Sequence, residues 1–272
     1  MKKLMLVCFA IGLVLALGAS AMAAITPGTG INGTYHDLSS NGAANAWGET
    51  ADQTALNRIC VYCHAPHNTF KAEVGLNAYR PLWNHNPSQN TTFTMYSNGT
   101  DIPNQTSHQS QAMDLLSTTN APGSVSMLCL SCHDGTTATN AYGYSGNTSP
   151  GRGSASEFVG ARATIGGPVG GGNDLSNHHP IGFNYDAAQG YDDELAASSE
   201  AGYLKHTTLG TKGGGPATIA DLLWNGNVEC VSCHDVHNTK NGGDKFTWVQ
   251  DQQSALCLTC HLKASAGFAP IP

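Results

Sequence analysis

Cys60-Val-Tyr-Cys63-His64, Cys129-Leu-Ser-Cys132-His133, Cys230-Val-Ser-Cys233-His234 and Cys257-Leu-Thr-Cys260-His261 decide how this chain is read. Of its 9 cysteines, all but Cys8 fall in these four C-x-x-C pairs, and a histidine follows every pair at once. Histidine fills 12 of 272 positions, so chance would place it after all four pairs only about once in several hundred thousand cases, which makes this a strong form of the C-x-x-C-H signal. The chemistry explains the spacing. Two thiols three positions apart can add to the two vinyl groups on one edge of a haem, and the next residue then ligates the iron from the proximal side. Zinc sites also use C-x-x-C pairs, but they need four ligands each and no histidine after both pairs. A redox dithiol would sit in a βαβ pattern, which is missing around every pair. The expectation is four c-type haems, attached through Cys60, Cys63, Cys129, Cys132, Cys230, Cys233, Cys257 and Cys260, with proximal ligands His64, His133, His234 and His261.

Eight histidines remain: His36, His67, His85, His108, His178, His179, His206 and His237. Beyond the leader the methionines are only Met95, Met113 and Met127. Three cannot fill four axial positions, so bis-histidine ligation is expected, which lowers potential relative to His/Met haems. The first and third motifs share an extended form, C-V-x-C-H-x-x-H-N, ending in His67-Asn68 and His237-Asn238. A histidine three residues beyond the proximal one cannot reach the opposite face of the same haem, because the macrocycle lies between. His67 and His237 are therefore each expected to ligate a different haem. His179, stiffened by Pro180, and His36, in Thr-Tyr-His-Asp, complete the distal set. His85 is the main rival, and His178 and His206 stay in play; His206 precedes Cys230 by 24 residues, as His36 precedes Cys60.

Composition fits a chain organised by something besides side-chain packing. Only 11% of residues are charged, against roughly 25% in ordinary globular proteins. The net charge of −7 has the wrong sign for a phosphate-binding surface, so nucleic acid is excluded as a partner. Glycine and proline, 32 and 12 residues, punctuate the chain with turns. At the N-terminus Met1-Lys2-Lys3, an apolar run to about Ala19 and Ala21-Met22-Ala23 read as a secretory signal peptide over residues 1–23. The run is too short to span a bilayer. Cleavage after Ala23 removes Lys2 and Lys3 and takes the net charge to −9. The expected product is exported, periplasmic or extracellular at the cell surface, with no integral membrane segment.

The motifs alternate in type. The first and third carry the trailing His-Asn, whereas the second and fourth read Leu128-Cys129-Leu130 and Leu256-Cys257-Leu258 without it. That order predicts two dihaem modules, 24–150 and 174–272, joined by a Gly-rich loop over 151–173. Modest helices are expected over 193–204, 217–223 and 252–260. The predicted fold class is mostly coil with a few short helices, wrapped round haems that form much of the apolar core.

The order C-V-Y-C-H-A-P-H-N (60–68), P-L-W-N-H (81–85), L-C-L-S-C-H-D-G (128–135), D-L-S-N-H-H-P-I-G-F (174–183), V-E-C-V-S-C-H-D-V-H-N (228–238) and L-C-L-T-C-H (256–261) resembles the exported tetrahaem cytochromes c of metal-reducing bacteria, including the OmcE-type cytochromes that polymerise into filaments. The resemblance covers most of the chain beyond the leader. It implies stacked low-spin bis-histidine haems, little regular structure, redox partner proteins, and electron transport to acceptors outside the cell. It also implies a homopolymer in which a neighbouring subunit can supply a haem ligand, for which His36 is the candidate. On this reading the chain carries electrons and turns over no substrate. The alternatives are a multihaem reductase with one open iron position and a monomeric periplasmic shuttle. The reductase is disfavoured because all four motifs are C-x-x-C-H and distal histidines are plentiful.

Overall fold

The computed structural model describes residues 30–39, 59–65, 83–90, 92–96, 121–139, 141–142, 159, 163–167, 172–201, 218–238, 245–249 and 254–262. Over these residues the chain is mostly coil with a few short helices and one two-stranded sheet. A C-x-x-C pair needs both thiols on one side of the backbone, and one helical turn achieves this. The first motif makes a 3-10 turn, Ile59–Tyr62. The second lies at the end of α1, Ser124–His133. A five-residue helix α2, Tyr185–Gln189, starts where Asn184 accepts the Ala187 N–H at 2.9 Å. The third and fourth motifs are the single turns α3, Cys230–Cys233, and α4, Cys257–Cys260.

After three of these turns the backbone swings out into an extended form at the histidine. His234 has φ −111°, ψ 129° and His261 has φ −92°, ψ 128°. Each then pairs with a distant extended residue: His64 with Trp83, His234 with Thr247, and His261 with Leu195. The residue after each partner donates its N–H to the second cysteine's carbonyl, Asn84 to Cys63 at 2.8 Å, Trp248 to Cys233 at 3.0 Å and Ala196 to Cys260 at 2.8 Å. One unit thus recurs three times: a helical turn, an extended histidine, and a strand-like brace. The second motif departs from it, because His133 is still helical and Ile165 donates its N–H to the His133 carbonyl at 2.6 Å.

The sheet pairs β1, Phe183–Asn184, antiparallel with β2, Asn227–Val228. Phe183 and Val228 join Tyr185, Ala188, Leu195, Ala196 and Ile219 in the largest apolar cluster, with Cys260 against its edge. A second cluster holds Leu222, Val249 and Ala255 with Trp248 and Leu256, and a third is built on Tyr62 and Tyr142. The helix expected over 193–204 is not formed across the described residues 193–201, which are turns and a bridge. The reason is tertiary: Leu195 and Ala196 brace the fourth motif, and the Leu262 N–H donates to the Glu194 carbonyl at 2.6 Å. Over the described residues 218–223 a 3-10 turn forms at Ile219–Leu222, and over the described residues 254–260 only the motif turn itself is α-helical.

Residues from the two halves of the chain interleave. Gly30 donates to the Asn238 carbonyl at 3.0 Å, and the Asn238 amide returns a bond to the Gly30 carbonyl at 2.9 Å. The His36 ring stacks on Phe246 with centroids 4.6 Å apart. Buried Glu229, just before the third motif, accepts from Gly123 N–H at 3.1 Å and from the Ser126 hydroxyl of α1. Burial pushes its carboxyl up from the usual range against the pull of those two donors. The Cys230 N–H in turn donates to Ser126 Oγ at 3.0 Å, which locks the second and third motifs together. The described glycines of the central Gly-rich stretch are also bonded: Gly172 donates to the Asp134 carbonyl at 3.2 Å and Asp174 to that of Gly166 at 2.9 Å.

Candidate haem-binding site

Several histidines present the same nitrogen to the backbone. His133 Nδ1 lies 2.7 Å from the Ala163 carbonyl, and His234 Nδ1 lies 3.0 Å from that of Lys245. His36 Nδ1 lies 3.3 Å from the Val236 carbonyl, and His179 Nδ1 lies 2.8 Å from that of Pro180. A carbonyl only accepts, so the proton sits on Nδ1 and the lone pair on Nε2, the arrangement that second-shell contacts impose on metal-binding histidines. Burial lowers the His36 pKa to about 4, helped by neighbouring His133, and lowers that of His133 itself. Both rings are neutral at pH 7, as ligation requires.

Three pairs of rings face each other at a common separation. His64 and His237 have centroids 6.2 Å apart, His36 and His133 6.1 Å, and His179 and His261 6.4 Å. A metal–imidazole bond of about 2 Å on each side, plus about 1.15 Å from nitrogen to ring centre, puts two trans ligands about 6.3 Å apart. Each separation is compatible with one six-coordinate iron between the rings, and each pair joins one expected proximal ligand to one expected distal ligand. His237, which follows the third motif, faces His64 of the first. The fourth proximal histidine, His234, lies close enough to His36 and His133 to affect their charge, and its expected partner His67 falls outside the described residues.

The eight thiols carry no disulfide. Successive motifs bring them close: Cys63 senses Cys132, Cys129 hydrogen-bonds Cys230, and Cys233 senses Cys260 and Cys257. Burial pushes Cys63 and Cys233 up to about 12, so these thiols line an apolar interior. The shared hydrogen bond raises Cys129 and lowers Cys230. Among the described residues no three His, Cys, Asp or Glu side chains converge as they would round a bare metal ion. The donor set is instead pairs of thiols beside pairs of histidines, which fits a haem held by two thioethers and two axial nitrogens.

The rival histidines are placed differently. His85 is 1% exposed and has both nitrogens occupied, Nδ1 at 2.7 Å from the Asn86 carbonyl and Nε2 at 2.9 Å from that of Ala138. His178 Nε2 accepts the Gly166 N–H at 3.3 Å. His108 and His206 lie outside the described residues. One residue escaped the sequence reading altogether. Trp83 Nε1, beside the first motif, is the one buried side-chain nitrogen or oxygen without a hydrogen-bond partner among the described residues. Its position in Pro-Leu-Trp-Asn-His, at a fixed distance from no motif, gave no signal of that role.

Residues 225–266, which contain the third and fourth motifs, match the family described as "Doubled CXXCH motif". The match indicates c-type haem binding and the electron-transfer chemistry of multihaem cytochromes c. No curated protein matches the chain. Among the described residues no helix is long and apolar enough to cross a membrane.

Proposed function

We propose that this chain is an exported tetrahaem cytochrome c that carries electrons along four bis-histidine haems to acceptors outside the cell, polymerising as OmcE-type cytochromes do. The observation that carries the reading is the common 6.1–6.4 Å separation of His36–His133, His64–His237 and His179–His261. Such pairs would supply both axial ligands to three of the four irons, and with His67 on the fourth no coordination position would be left for a substrate. Haem c, when bound, supplies an iron that takes up and releases one electron without rearranging its ligands. The protein's part is to hold position. Cys60 and Cys63, Cys129 and Cys132, Cys230 and Cys233, and Cys257 and Cys260 would fix four macrocycle edges, and the mutual electrostatic influence of thiols in motifs one and two, two and three, and three and four supports a path in chain order. His237 reaches from the third motif to the first, and His67 is assigned the reciprocal step to His234. Export rests on residues 1–23. Filament formation rests on the resemblance of the motif order to that of OmcE-type chains.

Intact mass of the protein recovered from the cell surface tests the reading. Four covalent haems are expected, and each Cys-pair substitution should remove one. Electron microscopy of sheared surface material should show filaments; discrete particles alone would sink the polymer and favour a shuttle. A high-spin iron at one haem in four of the resting protein would revive the reductase.

A further inference from the structure

We propose that the indole N–H of Trp83 donates a hydrogen bond to a propionate carboxylate of the haem attached at Cys60 and Cys63. Trp83 pairs by its backbone with His64, and the two rings meet edge to face with centroids 6.0 Å apart at 88°. Its Nε1 is buried and has no acceptor on the protein. A buried donor left unmade is costly, so such a group marks a place where an acceptor arrives from elsewhere. The third motif shows why the protein supplies none. There Trp248 donates its Nε1–H to the Val231 carbonyl at 2.7 Å. The corresponding carbonyl of the first motif, that of Val61, is already taken by the Asn84 amide. Trp83 stands one residue earlier, opposite His64 itself, and its ring meets the His64 imidazole.

A haem brings two carboxylates, and these need partners. The chain has only 12 Lys and Arg, and Lys245 is the one such residue among those described. An indole N–H without another acceptor suits that role. The hydrogen bond withdraws charge from the carboxylate and so favours the reduced iron. This inference rests on the haem assignment at the first motif, and its test separates the two.

The experiment uses the full haem-loaded protein and the variants Trp83→Phe, which keeps a ring but loses the donor, and Trp83→His, which keeps an N–H. Intact mass comes first: a wild-type protein lacking haem at Cys60 and Cys63 would overturn the haem assignment rather than the hydrogen bond. With four haems in place, Trp83→Phe should shift the propionate-bending Raman band of one haem and lower one of the four reduction waves, leaving three unchanged. Trp83→His should restore both toward wild type. Trp248→Phe, whose acceptor is a backbone carbonyl, should move neither. Loss of the first haem alone from Trp83→Phe, with retention in Trp83→His, would show the same dependence on the donor. A Trp83→Phe protein with four haems, an unmoved propionate band and unshifted waves would overturn the proposal.

Discussion

A histidine that donates Nδ1–H to a carbonyl can offer only Nε2 to a metal, and that constraint sorts the histidines here. His36, His133, His179 and His234 all meet a carbonyl at Nδ1, whereas His85 meets carbonyls at both nitrogens. Substitutions at the two kinds of site should therefore separate cleanly. His237→Ala should convert one haem in four from low-spin to high-spin, because His64 would lose the ring 6.2 Å away. His85→Ala should leave all four low-spin but cost about 2 kcal/mol of stability, since the neutral ring's one N–H is lost to a buried carbonyl acceptor. Low-temperature magnetic resonance of the oxidised protein together with a denaturant midpoint checks both; a high-spin signal in the His85 variant would reverse the assignment. The sequence marks His64, His133, His234 and His261 as candidates through their motifs, and His237 through its spacing. It could not announce the orienting carbonyls, because the acceptor for His36 is Val236, 200 residues away.

The recurring element is the helical turn, extended histidine and brace found at the first, third and fourth motifs. The brace fixes the second cysteine's carbonyl and thereby the direction in which the histidine leaves the turn. Ala196→Pro tests it, because proline has no N–H to give the Cys260 carbonyl. The loss should lower stability by about 2 kcal/mol and disturb the spectrum of the haem at Cys257 and Cys260 while sparing the other three. Denaturation followed in the haem absorption band measures the first, and a site-selective signal such as the His261 ring resonance measures the second. An unchanged midpoint would mean the brace is incidental. These braces also explain which elements the sequence hid. Periodicity over 193–204 suggested a helix, but Leu195 and Ala196 are recruited as an extended partner to a motif more than 60 residues on. The longest helix among the described residues, Ser124–His133, has small and apolar residues on all sides and no acid in its first turn, so it offers no amphipathic stripe. By contrast the Asn184 cap before Tyr185–Gln189 is a signal that was available in the sequence.

At the scale of the whole molecule, the described residues are mostly coil with a few short helices, joined by three small apolar clusters and one two-stranded sheet, in keeping with a composition poor in charge and rich in glycine. The histidine pairs between the motifs differ in orientation. His64 and His237 lie 23° from parallel, whereas His36 and His133 cross at 65° and His179 and His261 at 71°. That difference has an electronic consequence, because axial ligands tune the iron they bind. Parallel imidazole planes act on one of the two iron orbitals that can take π density and split the pair. Crossed planes act on both alike and leave them nearly degenerate, with strong magnetic anisotropy. The oxidised protein should therefore show one rhombic low-spin signal from the first motif and two highly anisotropic ones from the second and fourth. His237→Ala should remove the rhombic signal, and His36→Ala one of the anisotropic pair. A spectrum of rhombic signals alone would contradict the ring angles, and with them the pairing of His36 with His133 and of His179 with His261 from which the electron path is built.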